Sequence, residues 1–421
     1  MTIVDEATTS RLLLAARTGS GPDLGAHLSA HGPLPELRKG SAPALGAELA
    51  RAGLTGRGGA GFPTAKKIEL LRRHSRPLLL ANAMEGEPAS AKDRVLLERA
   101  PHLVLDGAQV AAAVVGAEAV LVCVAAGHEA SASAAQRAIR ERVHARRDHV
   151  PCRLVRPPGR YLAGEESALT DWVGGGAGLP TFRPDKTIPL RARRRPVLVQ
   201  NAETLAHIAL VARHGADWFR SAGLPDAPGT TLVTVCGAVP APGVLEIELG
   251  TSLRTILEGA GCDAEPQALL LGGYGGTWVP GSALDVAYAP RPLAEFGASP
   301  GAGVIGVLPA EACGIAETAG IADYLSRQRA GQCGPCTFGM PALCDDLQRL
   351  RRGGADGRLL DRLRSRLDAV EGRGACRLPD GAVRVVRSTL EVFAADVRSH
   401  GRGAPCPGWN RRPLFPMHQP S

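Results

Sequence analysis

Short apolar runs alternate with longer amphipathic stretches in the first half of the chain. The runs Pro77–Ala83 (PLLLANA) and Glu118–Ala126 (EAVLVCVAA) have the length of buried strands, and a third strand begins at 154–155. Helical periodicity covers residues 96 to 115 and again about 129 to 146. Strands that alternate with helices predict a parallel α/β sheet.

The pattern changes in the second half. Val197–Asn201 predicts one more strand with a helix after it, and residues 230–249 then show two β-rich runs around Gly and Pro turns, which predict a hairpin. The run Leu269–Gly276 (LLLGGYGG) belongs to the same β-rich region. From Ala316 the periodicity is helical, notably over 343–367, so the chain should end in helices.

These changes divide the chain into five regions. We expect an N-terminal lead (1–45), an α/β domain (46–225), a small β-rich domain (226–310), a helical region (311–400) and a Gly/Pro/Arg-rich, disordered tail (401–421).

Composition narrows the class of protein. The formal net charge is +8, but no aromatic residues are interleaved with the basic runs, so we expect no nucleic-acid partner. No apolar stretch approaches the roughly 20 residues of a membrane span, and the first residues lack a signal-peptide layout. A cytoplasmic protein follows, free or peripheral on the inner face of a membrane. Ten cysteines in such a protein favour metal binding over disulfides.

A glycine-rich stretch, GLTGRGGAGFPTAKK from Gly53 to Lys67, is the first candidate site. Glycines let backbone N–H groups approach a ligand closely, and a following helix would favour an anion at its start. Phe62 offers a flat apolar face. The spacing matches neither common phosphate-loop motif. It indicates either a phosphate cradle for a flavin or nucleotide, or a plain Gly-rich turn.

Two pairs of carboxylates follow predicted strands. Glu85-Gly86-Glu87 comes directly after the first strand and suits ribose hydroxyls or a nicotinamide amide, or else is a solvated turn. Glu165-Glu166 follows Gly164 and opens a helix, where carboxylates also simply stabilise the helix.

Three late cysteines form the remaining candidate. Cys333-Gly334-Pro335-Cys336 lies between two predicted helices, and Cys376 follows 40 residues after Cys336. Thiolates suit iron–sulfur clusters and zinc, and both normally take four ligands. Cysteines without a ligand are the alternative.

Five motifs occur in one order, and together they resemble a known family. They are GRGGAGFPT, NAMEGEP followed by KDR, YLAGEESAL, NAET and CGPC with a late cysteine. The chain resembles, over about 45–395, the NADH-binding 51-kilodalton flavoprotein subunit of respiratory complex I and the related subunits of NAD-linked hydrogenases and formate dehydrogenases. The resemblance implies a Rossmann-like FMN/NADH domain, a β-grasp domain of the soluble-ligand-binding type and a C-terminal helical bundle with a [4Fe-4S] cluster.

The resemblance also implies roles for individual residues. It assigns FMN to eight of them: Gly56, Arg57, Gly58, Gly59, Lys67, Asn82, Asn201 and Thr204. It places Phe62 against the nicotinamide or adenine, Glu87 and Glu166 on NADH, and Tyr161 along the site, with Glu87 and Tyr161 as the catalytic pair. Further cofactor contacts are expected from Glu85, Gly86, Gly164 and Glu165, and cluster ligation from Cys333, Cys336 and Cys376.

The chain departs from the family at several positions. Ala330 stands where the family has the first cluster cysteine, which leaves a three-iron cluster, a fourth ligand from elsewhere (Cys313 or Cys344) or no cluster. Met84 replaces an aspartate and Ala163 a cysteine near the flavin. Two aromatic positions of the NADH clamp fall at Leu70 and near Lys186, and each lost face should weaken NADH binding by ~1 kcal/mol.

The implied activity is that of an NADH-dependent oxidoreductase. It would pass electrons from NADH through FMN and an iron–sulfur cluster to a redox partner subunit, a ferredoxin or a membrane cytochrome. One alternative is a relative that is not fed by NADH or serves as a scaffold. Another is a zinc-binding protein without redox chemistry.

Overall fold

The computed structural model describes residues 2–3, 10–14, 21–37, 40, 42–185, 187–354 and 357–417. Lys186 therefore lies outside the described residues. The strands in chain order are β1 Thr2–Ile3, β2 Leu78–Ala83, β3 Val120–Val124, β4 Cys152–Val155, β5 Arg191–Ala192, β6 Arg195–Asn201, β7 Gly223–Leu224, β8 Ala227–Pro228, β9 Thr230–Gly237, β10 Gly243–Glu248, β11 Ala268–Leu271, β12 Thr277–Pro280 and β13 Val304–Leu308. The α-helices are α1 Leu24–His31, α2 Ala42–Ala52, α3 Thr64–Arg72, α4 Lys92–Arg99, α5 Pro101–Val115, α6 Glu129–His144, α7 Glu166–Val173, α8 Ala202–Arg220, α9 Leu253–Gly259, α10 Pro290–Ala294, α11 Gly314–Arg327, α12 Met340–Arg351, α13 Leu359–Val370, α14 Leu378–Val392 and α15 Ala394–Gly401.

The first sheet contains the apolar runs of the first half of the chain. Its strand order is β4–β3–β2–β6–β5, and β2, β3, β4 and β6 are parallel. β5 is a short antiparallel hairpin partner of β6. The predicted parallel α/β sheet is therefore confirmed. Its strands are nearly continuous in Val, Leu and Ala because helices cover both faces of such a sheet.

The single helix predicted over 96–115 was wrong. The structure has two helices, α4 and α5, with a break at Ala100 (φ −137°, ψ 50°) immediately before Pro101. Proline has no N–H to donate and disfavours a helical residue before it, so the chain turns at this point. Residues 343–367 divide in the same way into α12 and α13, with Gly353 between them at φ +71°.

Helices α5 and α8 pack so closely that their backbones are in contact. A Cβ atom on Gly107 of α5 would lie 1.7 Å from the carbonyl oxygen of Leu205 on α8. Only a residue without a side chain fits there.

We therefore expect Gly107→Ala to lower the free energy of unfolding by about 1–3 kcal/mol, as overpacking does in rigid cores. Gly46→Ala on α2 is the matched control, because its Cβ would meet Val114 at an ordinary 3.7 Å. This control should be neutral or stabilising, since alanine is the better helix former. Urea unfolding of both variants measures the difference, and equal midpoints would contradict the packing argument.

The second sheet joins the chain's late strands with one early segment. Its order is β1–β10–β9–β13–β11–β12, and β9 and β10 form the hairpin predicted over 230–249. The carboxylate of Glu246 on β10 accepts the backbone N–H groups of Arg11, Leu12 and Leu13 at 2.9–3.2 Å. The early segment is thus held by one half-buried acid.

The late helices pack on the second sheet. Trp278 of β12 is buried, and its Nε1–H donates to Thr318 of α11 at 2.9 Å. Residues 401–421 were expected to be disordered, and 418–421 lie outside the described residues. Within 402–417, Phe415 is 2% exposed in the same packing, and the N–H of Leu414 donates to Glu317 at 3.0 Å. A large apolar side chain that finds a pocket offsets the entropy of ordering such a segment, which composition alone does not reveal.

Candidate functional site

Two asparagines lie side by side at the carboxyl edge of the first sheet. β2 and β6 are neighbours, and Asn82 and Asn201 are direct partners in their register. Asn82 donates to the carbonyl of Gly164 at 2.9 Å, and Asn201 caps α8 by accepting the N–H of Glu203 at 3.0 Å. Ligands of open α/β sheets bind at this edge.

The glycine-rich stretch forms a closed loop beside the asparagines. Thr55 and Pro63 pair as an isolated bridge, and the N–H of Gly56 donates to Phe62 at 2.9 Å. Residues 58–62 between them are exposed, with Gly59 at φ +107°. The loop leads directly into α3, so its backbone and the free N–H groups of the helix face the same region, as a phosphate cradle requires.

Arg57 differs from the rest of the loop because its side chain is directed inward. Its guanidinium is buried and donates to Thr55, to the carbonyl of Pro228 at 3.4 Å and to that of Thr230 at 3.3 Å. Its backbone N–H donates to Thr204 Oγ1 at 2.8 Å. Arg57 and Thr204 therefore shape the loop, while the exposed glycines are left to meet a ligand.

Lys67 of α3 forms an ion pair with Glu166 at the start of α7. Both side chains remain partly accessible, at 21% and 43% exposure, so they can exchange this pairing for a ligand. Phe62 is 43% exposed at the mouth of the loop. Leu70, one turn further along α3, instead packs against the core of the first sheet and offers no stacking face.

Glu85 is a structural acid. Its backbone is left-handed (φ +43°), and its carboxylate accepts the N–H groups of Asp93 and Arg94 at 2.9 and 3.1 Å, at the start of α4. The guanidinium of Arg94 also pairs with it at 3.0 Å. The side chain of Glu85 is therefore engaged within the chain, and its cofactor contact stays a prediction.

Glu87 lies at the junction of the two sheets. Its carboxylate accepts the N–H of Tyr274 at 2.9 Å and the hydroxyl of Tyr161 at 3.2 Å. Burial raises the pKa of Glu87 to about 7, although these hydrogen bonds oppose the rise. Near neutral pH this side chain can hold or release a proton, and it can accept hydrogen bonds when ionised. Tyr274 was not predicted, although the glycine pair of LLLGGYGG signals a close backbone approach: Gly273 has φ +97° and lies against Glu87.

The floor of the site is tightly packed and apolar. A Cβ on Gly86 would lie 2.4 Å from the carbonyl of Tyr161, and one on Gly164 would lie 3.0 Å from the Cβ of Met84. Met84 and Ala163 belong to one buried hydrophobic cluster, so the two positions that differ from the family lie in the same packed region. Beside it Glu165 caps α7 by accepting the N–H groups of Ser167 and Ala168, both at 3.0 Å.

A buried charge network supports this floor and was not predicted. The ammonium of Lys92 pairs with Asp93 and Glu203, both at 2.9 Å, and all three side chains are almost fully buried. Burial opposes ionisation of Glu203, but Lys92 outweighs it and lowers the pKa of the acid. Asn201 donates to Asp93 at 2.6 Å, so the network orients an asparagine of the site.

The three late cysteines lie at the starts of two helices. Cys333 and Cys336 precede α12 through the π-helical turn Pro335–Gly339, and the Cys336 sulfur accepts the N–H of Gly331 at 3.3 Å. Cys376 precedes α14. Helix N-termini favour thiolates, so the placement suits metal ligands.

Electrostatics relates the cysteines to one another and to the rest of the site. Burial raises the pKa of the Cys376 thiol to about 11, and the N–H of Leu378 opposes the rise. Cys336, Glu165 and Cys333 all act on it as negative neighbours. Cys376 is thus within electrostatic reach of the other two thiols and of the acid that caps α7. The three sulfurs do not all lie within 4.8 Å of one another.

Neither expected source of a fourth ligand is shown beside these thiols. Cys344 on α12 faces Asp323 at 3.9 Å, and Cys313 lies in a separate hydrophobic cluster with Cys406. Ala330 is half-buried, and it packs against the same hydrophobic core cluster as Cys376.

The residues present fit both groups that the motifs imply. The exposed loop glycines leave backbone space for a phosphate, and no heavy atom lies within 4 Å of a Cβ built on Gly61. The thiol pair and Cys376 supply soft ligands for iron, and a bound iron cluster would lower the raised pKa of the Cys376 thiol.

No helix in the described part of the chain has the length and apolar character to cross a membrane.

Comparison with known proteins places this arrangement in a family. Residues 49–210 match the Nuo51 FMN-binding domain, and residues 316–400 match the NADH-ubiquinone oxidoreductase-F iron–sulfur binding region.

Whole-chain relatives agree. A subunit of NADH-quinone oxidoreductase in Streptomyces coelicolor is 30% identical over 370 residues, which is 85% of this chain and 82% of the relative. The NADP-reducing hydrogenase subunit HndC of Solidesulfovibrio fructosivorans is 29% identical over 85% of this chain and 76% of its own length. The solved NAD⁺-reducing [NiFe]-hydrogenase in its air-oxidised state superposes with a TM-score of 0.81 at 29% identity, over 97% of this chain and 69% of the hydrogenase chain. The chain therefore belongs to the family of NADH-binding, FMN-containing flavoprotein subunits of NADH-quinone oxidoreductase and NAD-linked hydrogenase, which pass electrons onward through an iron–sulfur region.

Proposed function

We propose that this chain oxidises NADH at the carboxyl edge of its first sheet and delivers the electrons through an iron–sulfur cluster held by Cys333, Cys336 and Cys376. One observation carries the proposal. Gly275 connects the two regions, because a Cβ atom on it would lie 3.9 Å from the Tyr161 hydroxyl and 3.4 Å from the Cα of Gly381 on α14, the helix that Cys376 precedes.

The three parts of the fold then have separate tasks. In this proposal the first sheet with its helices is the Rossmann-like FMN/NADH domain (46–225), the second sheet is the β-grasp domain (226–310), and α11 to α15 form the iron–sulfur bundle (311–400). The β-grasp domain touches the site through Tyr274, whose N–H holds Glu87.

FMN, when bound, supplies the chemistry of accepting an electron pair from NADH and releasing electrons singly. The chain supplies position. Exposed N–H groups of the loop at Gly58 and Gly59, with Lys67, bind the phosphate, and Asn82 and Asn201 orient the ring system from the sheet edge. Phe62 covers the mouth.

Glu87 and Tyr161 bind and orient the nicotinamide half of NADH. The ionised carboxylate accepts hydrogen bonds from ribose hydroxyls or the amide, and Tyr161 holds it in place by donating at 3.2 Å. Glu166 is the second NADH contact, and Lys67 balances its charge until the ligand arrives.

The onward acceptor is a redox protein. Relatives are named as subunits of NADH-quinone oxidoreductase and of hydrogenases, so we place this chain in a complex with a partner subunit or with a soluble ferredoxin. Phe338, 76% exposed two residues after Cys336, marks the surface where that partner would approach the thiols.

A second candidate function is a related flavoprotein with a different electron donor. Leu70 is partly buried against the core of the first sheet, and Met84 and Ala163 make the floor apolar. NADH then lacks one stacking face, and a flavin lacks polar neighbours on one side.

The spectrum of the anaerobically purified full chain tests the proposal. We expect flavin absorption near that of free FMN, broad iron–sulfur absorption, and bleaching of both by NADH within seconds. Bleaching by reduced ferredoxin but not by NADH would favour the second candidate. A protein without flavin and iron, even after reconstitution with FMN, iron and sulfide, would refute both.

Lys67→Gln is the matched variant for the flavin site. The substitution removes the half-buried ammonium beside the loop. The affinity of the chain for FMN should therefore fall about tenfold, as expected for the loss of one charge-assisted hydrogen bond. Lys66→Gln, the exposed neighbour, should bind FMN like the parent chain. Equal FMN content in the two variants would contradict the assignment of Lys67.

A further inference from the structure

A second group of metal-ligating side chains lies where the chain's last helix ends. Among the described residues, Cys313, His400 and Cys406 place one ligand atom each within 4.8 Å of one another. Cys313 immediately precedes α11, His400 is in the last turn of α15, and Cys406 lies in the loop that follows. Zinc sites commonly combine closely spaced ligands with distant ones, and here His400 and Cys406, six residues apart, meet the distant Cys313.

The ring of His400 is oriented as a ligand. Its Nδ1 lies 3.1 Å from the carbonyl oxygens of both Leu350 and Arg351. A carbonyl can only accept, so Nδ1 carries the hydrogen and Nε2 keeps its lone pair. This arrangement, one ring nitrogen donating to a backbone carbonyl while the other is free to coordinate, orients most metal-bound histidines.

The Nε2 atom of His400 lies within 4.8 Å of both sulfurs. Nε2 lies 3.8 Å from the Cys313 sulfur and 3.0 Å from the backbone nitrogen of Cys406, which currently donates to it. The Cys313 sulfur accepts the N–H of Ala316 at 3.4 Å, at the N-terminus of α11. Burial raises the pKa of the Cys313 thiol, and the helix N-terminus opposes that rise, so a bound cation would have to offset the remaining cost of forming the thiolate.

Burial gives the site a closed side and an open side. His400 and Cys313 are 0% and 2% exposed, whereas Cys406 is half-buried. The backbone around them is held closely: a Cβ on Gly408 would lie 2.7 Å from the carbonyl of Glu311. Two ligands are thus rigid, and the side at Cys406 admits an ion and a solvent ligand.

We propose that Cys313, His400 and Cys406 bind one zinc ion, with water or another exogenous ligand in the fourth position. Two thiolates and one imidazole form a soft, mixed donor set that suits zinc. Binding releases the two thiol protons to solvent and replaces the hydrogen bond from Cys406 to Nε2 by a metal bond.

The site is separate from the cluster thiols and closes a long loop around them. Cys313 and Cys406 share a small hydrophobic cluster with Ile315 and Val397, whereas Cys376 packs in a different one. Cys333, Cys336 and Cys376 all lie between positions 313 and 406 in the chain. The ion would therefore close the segment that carries the electron-transfer ligands, and closing a long loop stabilises the folded state.

Metal analysis of the full chain, purified anaerobically from zinc-supplemented cells, tests the proposal. We expect about one zinc per chain in addition to iron. Cys406→Ser should lose at least nine-tenths of the zinc and keep the iron, and Cys376→Ser should lose the iron and keep the zinc. Cys344→Ser, a buried thiol on α12, should keep both.

A second measurement decides the question if a variant fails to fold. The zinc X-ray absorption spectrum of the unmutated chain should show about two sulfur neighbours near 2.3 Å and one or two nitrogen or oxygen neighbours near 2.0–2.1 Å. Zinc content unaffected by Cys406→Ser, a sulfur-free zinc spectrum, or a Cys313–Cys406 disulfide in protein alkylated at lysis would each overturn the proposal.

Discussion

Cys376→Ser is expected to abolish the iron–sulfur cluster while leaving the flavin reducible by NADH. Serine keeps the shape of the side chain but not the soft ligand, and two remaining thiols cannot hold a cluster. Iron and acid-labile sulfide per chain should fall about tenfold or more, and reduction of a one-electron acceptor such as cytochrome c should fall with them. Stopped-flow bleaching of the flavin by NADH should stay within about twofold, because the carboxyl edge of the first sheet is untouched.

Two further variants sharpen this result. Cys344→Ser removes a buried thiol that faces Asp323, and its iron content should equal that of the parent chain. Cys406→Ser should also keep the cluster. Ala330→Cys places a thiol three residues before Cys333, which completes a CxxCxxC spacing and should convert any three-iron signal in electron paramagnetic resonance to a four-iron signal. If the iron content of Cys376→Ser equals that of the parent chain, Cys376 is not a ligand of the cluster.

Glu87→Gln is expected to raise the KM for NADH by about 10–100-fold above neutral pH, the loss expected for hydrogen bonds to a buried charge. Because the pKa of Glu87 is about 7, the parent chain should bind NADH more tightly as pH rises through 7 and the carboxylate forms. In Glu87→Gln the KM for NADH should no longer fall as pH rises through 7. The KM from initial rates at pH 6 to 8.5 measures it.

The same residue gives a stability test with the sign determined. The pKa of Glu87 is raised by burial from 4.5 to about 7, so the fold favours the protonated acid. That stabilisation is complete below about pH 4.5 and is lost as pH rises through 7, on the order of 3 kcal/mol for this shift. Glu87→Gln should flatten the dependence over this window.

Glu317→Gln is the matched control. Burial likewise raises the pKa of Glu317 to about 7, but its carboxylate holds the N–H of Leu414 rather than the site. Glu317→Gln should flatten the pH dependence of the free energy of unfolding, as Glu87→Gln does, and it should leave the KM for NADH unchanged. A KM profile that changed equally in both variants would mean that Glu87 acts only through stability.

The sequence predicted the first sheet well because its strands are buried on both faces. A short apolar run such as Leu78–Ala83, flanked by helical stretches, has few possible secondary structures other than a buried strand. The break at Pro101 was also present in the sequence, yet apolar periodicity continues across it and conceals it. The packing of Phe415 could not be predicted, because it depends on a pocket at Trp278 and Gly306 that only the assembled sheets create.

The site was predicted as a set of positions but not as a set of side-chain roles. Motif order does not reveal that Arg57 is directed inward to carbonyl groups, or that Glu85 caps a helix. Cys313 and His400 were missed as a pair because 87 residues separate them, and no short motif joins them. Such pairs become visible only when the fold brings distant segments together.

The attachment of both early and late segments to one sheet has a consequence for how the molecule unfolds. Glu246 on β10 holds residues 11–13, and Phe415 packs against Gly306 of β13 in the same sheet. Loosening the hairpin β9–β10 would release residues 11–13, and loosening β13 would release Phe415, so neither of these attachments is independent of that sheet. We therefore expect these two segments to unfold together with the second sheet, as one cooperative unit.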